Sequence, residues 1–259
     1  MYREERAQLQ GLSNDNKSTA KVTLESLVYK NKDCFAISLS DHRQTNHKGM
    51  FGWVADLAFV KKKIVFTLNE QGFLGELQNH AQIYAGWKSA YHRIMHKHQQ
   101  EKHSKATGTG IDALMKDPAQ LAAALRYAPP YVSLFMGING KEYTDAQPSA
   151  GYRLLPNFIG VKSLPVNTEE VLQPAGADSS TMDIEVTGKL DDEHIDQDKI
   201  SSLVRLLRDH PRASAEVKLR YNESIKLDKD CWPVQSICMN LIVIPGFLFR
   251  QETTILKEI

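Results

Sequence analysis

Residues 213–227 read ASAEVKLRYNESIKL. Ala215, Val217, Leu219, Tyr221, Ile225 and Leu227 fall on one side of a period-two alternation, and Glu216, Lys218, Arg220, Asn222, Ser224 and Lys226 on the other. Such alternation marks a half-buried strand, because successive side chains of an extended chain point to opposite faces. The run is more than twice the usual strand of about five or six residues, and a strand that long must twist and bend. It predicts an α+β fold: a long, strongly curved antiparallel β-sheet wrapping helices. Glu223 is the one charge on the apolar side. It reads as a strand end or bulge, since bulges break alternation; the alternative is a carboxyl aimed into a cavity, with its pKa raised by burial.

Working outward, residues 181–190 alternate in the same way, with Met182, Ile184, Val186 and Leu190 facing together. Asp196 caps a helix that turns Ile200, Leu203, Val204, Leu206 and Leu207 inward and ends at His210-Pro211. A turn at 228–230 leads to strands over 233–244 and 247–259. Residues 131–180 carry Pro148, Pro156, Pro165 and Pro174 and read as irregular segments and short edge strands, because proline cannot donate to a ladder.

The first half is more broken. Residues 1–18 form a polar, ragged start. Strands follow at 21–29 and 33–41, then a helix at 50–60. A hairpin over 64–68 and 73–78 closes through Asn69-Glu70-Gln71-Gly72. Asn79 with Gln82 looks like a capping box opening a long helix over 80–104, which Gly108 and Gly110 punctuate. Helical spacing resumes over 111–116, and Asp117-Pro118 opens a helix over 119–127. The organisation expected is a polar segment 1–18 and one domain 19–259. The alternative splits it into 19–130 and 181–259, joined by 131–180.

Composition narrows the function classes. Of 259 residues, 42% are hydrophobic and 24% charged, which places the chain among globular proteins with a sizeable core. Lys and Arg number 32 and Asp and Glu 31, so no global field draws it to nucleic acid. Cys34, Cys231 and Cys238 form no framework and no C-x-x-C pair. With no apolar leader and no stretch of roughly 18–20 apolar residues, the expectation is a cytoplasmic protein without membrane insertion, or a periplasmic one if an export signal once preceded it.

The chemistry-bearing residue types cluster once, in YHRIMHKHQQEKH. His92 and His96 stand four apart, a spacing that chelates one metal from a helix face, although the position after His92 is Arg93 and not the Glu of a zinc protease. On a helical wheel His92, His96 and His103 fall within about 40° of one another on the polar face, whereas His98 falls on the apolar arc. Gly108-Thr109-Gly110 lacks the lysine of a phosphate loop, and the acids at 191–198 lack the glycine and distal Glu of a calcium loop. No motif calls for a cofactor, and no nucleophile motif is present.

The runs FTLNEQGFLGELQNHAQIYAGW (66–87) and LDKDCWPVQSICMNL (227–241) resemble an uncharacterised family of Bacteroidetes proteins. The resemblance covers roughly residues 62–100 and 180–259 and implies a shared scaffold with no assigned activity. The C-terminal meander is also similar in architecture to the curved antiparallel sheets of lipoprotein carriers, an analogy of fold alone. Three functions follow as expectations. The first is a non-enzymatic protein-binding module, an immunity, adaptor or chaperone-type partner of another protein. The second is a carrier of an apolar small molecule in a cup lined by Val217, Leu219, Tyr221, Glu223 and Ile225. The third is a metal-dependent hydrolase at His92 and His96.

Overall fold

The computed structural model describes every residue except 10–11, 61, 102–103, 138–140, 142, 144–146, 159–160, 174–180, 209–215 and 259. Its strands are β1 (Tyr2–Leu9), β2 (Leu12–Tyr29), β3 (Lys32–Gln44), β4 (Lys63–Leu68), β5 (Leu74–Leu77), β6 (Ser149–Phe158), β7 (Val161–Gln173), β8 (Met182–Leu190), β9 (Lys218–Leu227), β10 (Pro233–Ile244) and β11 (Leu248–Lys257). Its helices are α1 (Gly49–Val60), α2 (His80–Lys97), α3 (Ser104–Lys116), α4 (Pro118–Arg126), α5 (Tyr131–Leu134) and α6 (Gln197–Arg208). The strands form one antiparallel sheet in the order β5-β4-β3-β2-β1-β11-β10-β9-β8-β7-β6. This is an α+β fold on a long antiparallel sheet, as the alternation predicts. The chain separates into two compact units, one comprising Met1 with residues 16–140, the other residues 2–15 with 141–259.

In the first unit α2 turns Ile83, Trp87, Ala90 and Ile94 inward, at spacings of four, three and four residues. They pack with Ile37, Ile64 and Phe66 of the sheet and with Met115, Leu121 and Leu125 of α3 and α4. Three local expectations are corrected here. The helix from residue 80 ends at Lys97, and Gly108 and Gly110 lie inside α3 rather than ending a helix. A Cβ on Gly108 would lie 2.3 Å from Met95 Sδ, so this glycine permits close approach of α2 and α3. Asn79 makes no side-chain cap on α2. Its Oδ1 accepts from Val65 N (2.9 Å) and its Nδ2 donates to Lys63 O (3.0 Å), so the amide serves the β4 ladder instead. Asp117 caps α4 as expected, accepting from Ala119 N and Gln120 N.

In the second unit, Ile200 and Val204 of α6 pack on Leu164, Val217, Ile242, Ile244, Phe247 and Leu248. Asp196 caps this helix through Lys199 N (3.0 Å). Two further expectations are corrected. The proline-rich stretch contains a long hairpin of β6 and β7. Pro156 sits on the edge strand β6, and Pro165 stands just outside the β7–β8 ladder, which begins at Val166. Residues 2–9, polar in sequence, form β1 and pair with β11 from Tyr2↔Ile255 to Leu9↔Leu248. The expected helix end at His210-Pro211 and residues 213–215 of the long alternating run lie outside the described residues.

Candidate functional site

Directly paired residues of antiparallel strands share a face. The ladders therefore fix which side chains of the second unit lie together. On one face Glu223 pairs with Cys238 and Val186, Tyr221 with Asn240 and Gly188, and Glu170 with Val186. The register runs through Glu223 without a shift, so it marks neither a bulge nor a strand end. Its side chain is 1% exposed. The carboxyl is buried, as the alternative reading requires, but it is packed among Arg153, Tyr221 and Cys238 rather than aimed into a cavity.

A buried ionic cluster surrounds it. Arg153 of β6, 2% exposed, places Nη2 3.3 Å from Glu170 Oε1 and Nε 3.6 Å from Glu223 Oε2. Neither contact has hydrogen-bond geometry, whereas Arg153 Nη1 donates to Tyr152 O at 3.1 Å. Tyr221 Oη donates to Glu223 Oε2 (3.1 Å). The fully buried Glu170 accepts from Lys141 Nζ (2.9 Å) and Tyr143 Oη (2.8 Å) through Oε2. Two glycines make room: a Cβ on Gly151 would lie 2.4 Å from Glu170 Oε1, and one on Gly188 3.0 Å from the Tyr221 ring.

The electrostatics follow from this packing. Burial raises the Glu223 pKa above the usual glutamate value, and Arg153 offsets this only in part. Burial also raises the Tyr221 and Cys238 values, with the nearby Glu223 charge acting in the same direction. On β11 the balance reverses. Burial alone would raise Glu252, but Arg3 and Arg250, each hydrogen-bonded to it, hold it below the usual range. This face is thus packed with paired charges, and its chemistry is that of a held structural network.

Of the five residues expected to line an apolar cup, Leu219, Tyr221, Glu223 and Ile225 lie on β9 and Val217 immediately precedes it; all but Leu219 are buried. Val217 and Leu219 pack in the cluster that α6 covers. Cys34, Cys231 and Cys238 are free thiols. The chain matches no known family model, curated protein or solved structure.

His92 and His96 lie exposed on α2, and His103 lies outside the described residues. Among the described residues no group of three His, Cys, Asp or Glu side chains could hold a metal. His98 is buried, as its place on the wheel implies. Its Nε2 lies 2.7 Å from Asp56 Oδ2, its Nδ1 lies 2.8 Å from Glu101 Oε1, and its ring stacks on Trp53 at 4.4 Å.

The opposite face of the same strands differs. On β10 it presents Ile237, Met239, Leu241 and Val243; on β11, Phe249 and Ile255; on β1, Tyr2. Met239 is 46% and Phe249 37% exposed, and the others are half-buried. These residues are consecutive across the ladder: Ile237 pairs with Ile255 and then Tyr2, and Val243 with Phe249. They form one apolar stripe on the outward sheet surface. Ile237, Met239, Leu241 and Val243 alternate along β10 itself, and the register adds Ile255 with Tyr2 at one end and Phe249 at the other, with Thr253 and Gln251 between them on β11.

Proposed function

We propose that the protein is a non-enzymatic protein-binding module, docking another polypeptide on the outward face of β9, β10, β11 and β1. The observation that carries this reading is the apolar stripe of Ile237, Met239, Leu241, Val243, Phe249 and Ile255. Contiguous apolar surface on an open sheet face is costly in water and marks interaction sites, whereas apolar residues exposed singly do not. The inward face, by contrast, has its charges paired and its apolar end covered by α6, which leaves it a supporting role.

The test is substitution at the centre of the stripe. Met239 is well exposed, so Met239→Asp is expected to leave the unfolding free energy, read from urea titration, within about 0.5 kcal/mol of wild type. It is expected to weaken a stoichiometric polypeptide complex, isolated from the native host and weighed by native mass spectrometry, by about tenfold or more. Retention of the same complex by Met239→Asp and Phe249→Asp would overturn the reading.

A second reading, carriage of an apolar small molecule, is favoured by a cleft of about 360 Å³ in the first unit, lined by Leu27, Tyr29, Val60, Val65 and Ile83 with Lys63, Asn79 and Gln82. Its size lies at the low end for ligand sites. On this reading Val60→Arg abolishes binding of a fluorescent apolar probe, and Leu219→Arg, on the inward face of the other unit, does not. Equal probe binding by Val60→Arg and wild type, with both folded by circular dichroism, removes the cleft as a carrier site.

A further inference from the structure

The rim of the stripe carries information about what docks there. On the outward faces of β8, β9, β10, β11 and β1 the charged side chains are Arg6, Lys189, Lys218, Arg220, Lys226 and Lys257 against Glu4, Asp183 and Glu185, six cations to three carboxylates. Glu4 is already engaged by Arg6 at 2.9 Å. Lys226 leans toward Asp183 of β8, 3.9 Å away, and Lys218 toward Glu216 at 3.8 Å. Arg220 is exposed and makes no ion pair with any described residue. It pairs in register with Leu241, and Lys218 with Val243, so these cations border the apolar stripe directly. The chain as a whole is nearly neutral, which makes this imbalance local.

Geometry limits the form of the partner. β10 and β11 are interior strands, bonded on both sides, and the ends of the sheet are β5 and β6. Their backbone groups are used, so a partner here meets side chains and cannot add as a strand. From Ile237 to Val243 the outward side chains span roughly 20 Å, the length of a helix of roughly 13 residues. A helix laid along β10 would set its apolar stripe on Ile237, Met239, Leu241 and Val243 and its flanks over Arg220 and Lys218 on one side and Arg6 on the other.

The geometry points to an acidic amphipathic helix of a partner protein as the occupant of this face. The inference rests on the protein-binding reading above and adds the partner's chemistry. Opposite charge at a rim acts chiefly on association rate and its salt dependence, whereas the apolar centre sets the lifetime of the complex.

The test places a photo-crosslinking amino acid at position 239 of the full chain in its native host and sequences the crosslinked segment. The expected result is one segment with apolar residues at helical spacing and an excess of Asp and Glu. Arg220→Glu with Lys218→Glu should lower its yield about tenfold and weaken its dependence on salt, and reversing the acids of the partner segment should restore it. A crosslinked segment that is neutral or basic, or that is extended in the complex, overturns this inference and leaves the protein-binding reading standing. Absence of any polypeptide adduct at position 239 overturns both. Co-sedimentation with phosphatidylserine-containing vesicles, without a polypeptide adduct, also overturns both and assigns the face to a membrane surface.

Discussion

Arg153→Met is expected to lower the unfolding free energy by about 3–5 kcal/mol, read as a fall in the urea midpoint. The side chain is buried between Glu170 and Glu223 on one face of the sheet. Removing its charge leaves two buried carboxylates, with Lys141 remaining on Glu170 and only Tyr221 on Glu223. The size of the loss comes from those stranded charges more than from the pair itself. Replacing all three residues by neutral ones, Arg153→Met with Glu170→Gln and Glu223→Gln, should therefore recover most of it. Recovery of less than a third would mean that the network is held by packing of the arginine stem.

The same site fixes a pH dependence. Glu223 has its folded pKa raised above the ordinary glutamate value, chiefly by burial. The native state thus holds this proton more tightly than the unfolded chain does. The stability so contributed is complete below the ordinary value, about 4.3, and is lost as pH rises through the folded one. Glu223→Gln should remove that fall, and in Arg153→Met the fall should move to higher pH, since Arg153, ahead of the Tyr221 hydroxyl, is the larger of the groups that lower the carboxyl. Glu252 acts in the opposite sense. Its pKa is held down by Arg3 and Arg250, so its contribution is present above the ordinary carboxylate value and lost on acidification. Parallel stability curves for wild type and Glu223→Gln between about pH 4 and 8 would show that Glu223 does not titrate in this range.

How much of this was legible in the sequence depends on what each residue's partners were. The strands β8 and β9 follow from alternation alone, whereas β10 and β11, which carry consecutive apolar residues such as Leu241-Ile242-Val243-Ile244, follow from the turn residues at 228–230 and Pro245-Gly246 that bound them. β1 was not legible: its inward side chains include Arg3 and Glu5, whose burial is compensated by Glu252 and Arg250 some 245 residues away in sequence. A polar strand satisfied by a distant polar strand has the same local pattern as a loop. Asn79 illustrates a related limit. Its position before a helix signals a cap, yet a competing backbone donor on β4 takes its carbonyl. Glu223 was visible as an anomaly from the outset. Its partner was not, since Arg153 lies in the proline-rich stretch whose hairpin the sequence conceals. The apolar stripe lay in the same strands that were read correctly, but alternation shows only that a strand has two faces, not that neighbouring strands align their apolar residues on the outer one.

The other large effect expected is at Trp87, in the first unit. Trp87→Ala should cost about 3–5 kcal/mol, the usual loss for a buried aromatic truncated to a methyl group. The indole has no exposed surface, meets the Tyr91 ring edge-on at 5.3 Å, and donates from Nε1 to Asp112 Oδ1 at 2.9 Å. Through it α2 is fastened to α3 both by packing and by a hydrogen bond to a carboxylate. Trp87→Phe separates the two contributions, because it keeps most of the ring but strands the Asp112 acceptor. If the hydrogen bond dominates, Phe should recover little, and Asp112→Asn, which keeps an acceptor, should cost about 1 kcal/mol or less. If packing dominates, Phe should recover more than half the loss. The interior is close-packed here, with Ile83, Ile94, Met115 and Leu121 in the same cluster, and such surroundings collapse poorly around a cavity. Packing is therefore the expected winner, and a Phe variant as unstable as the Ala variant in urea would reverse that assignment.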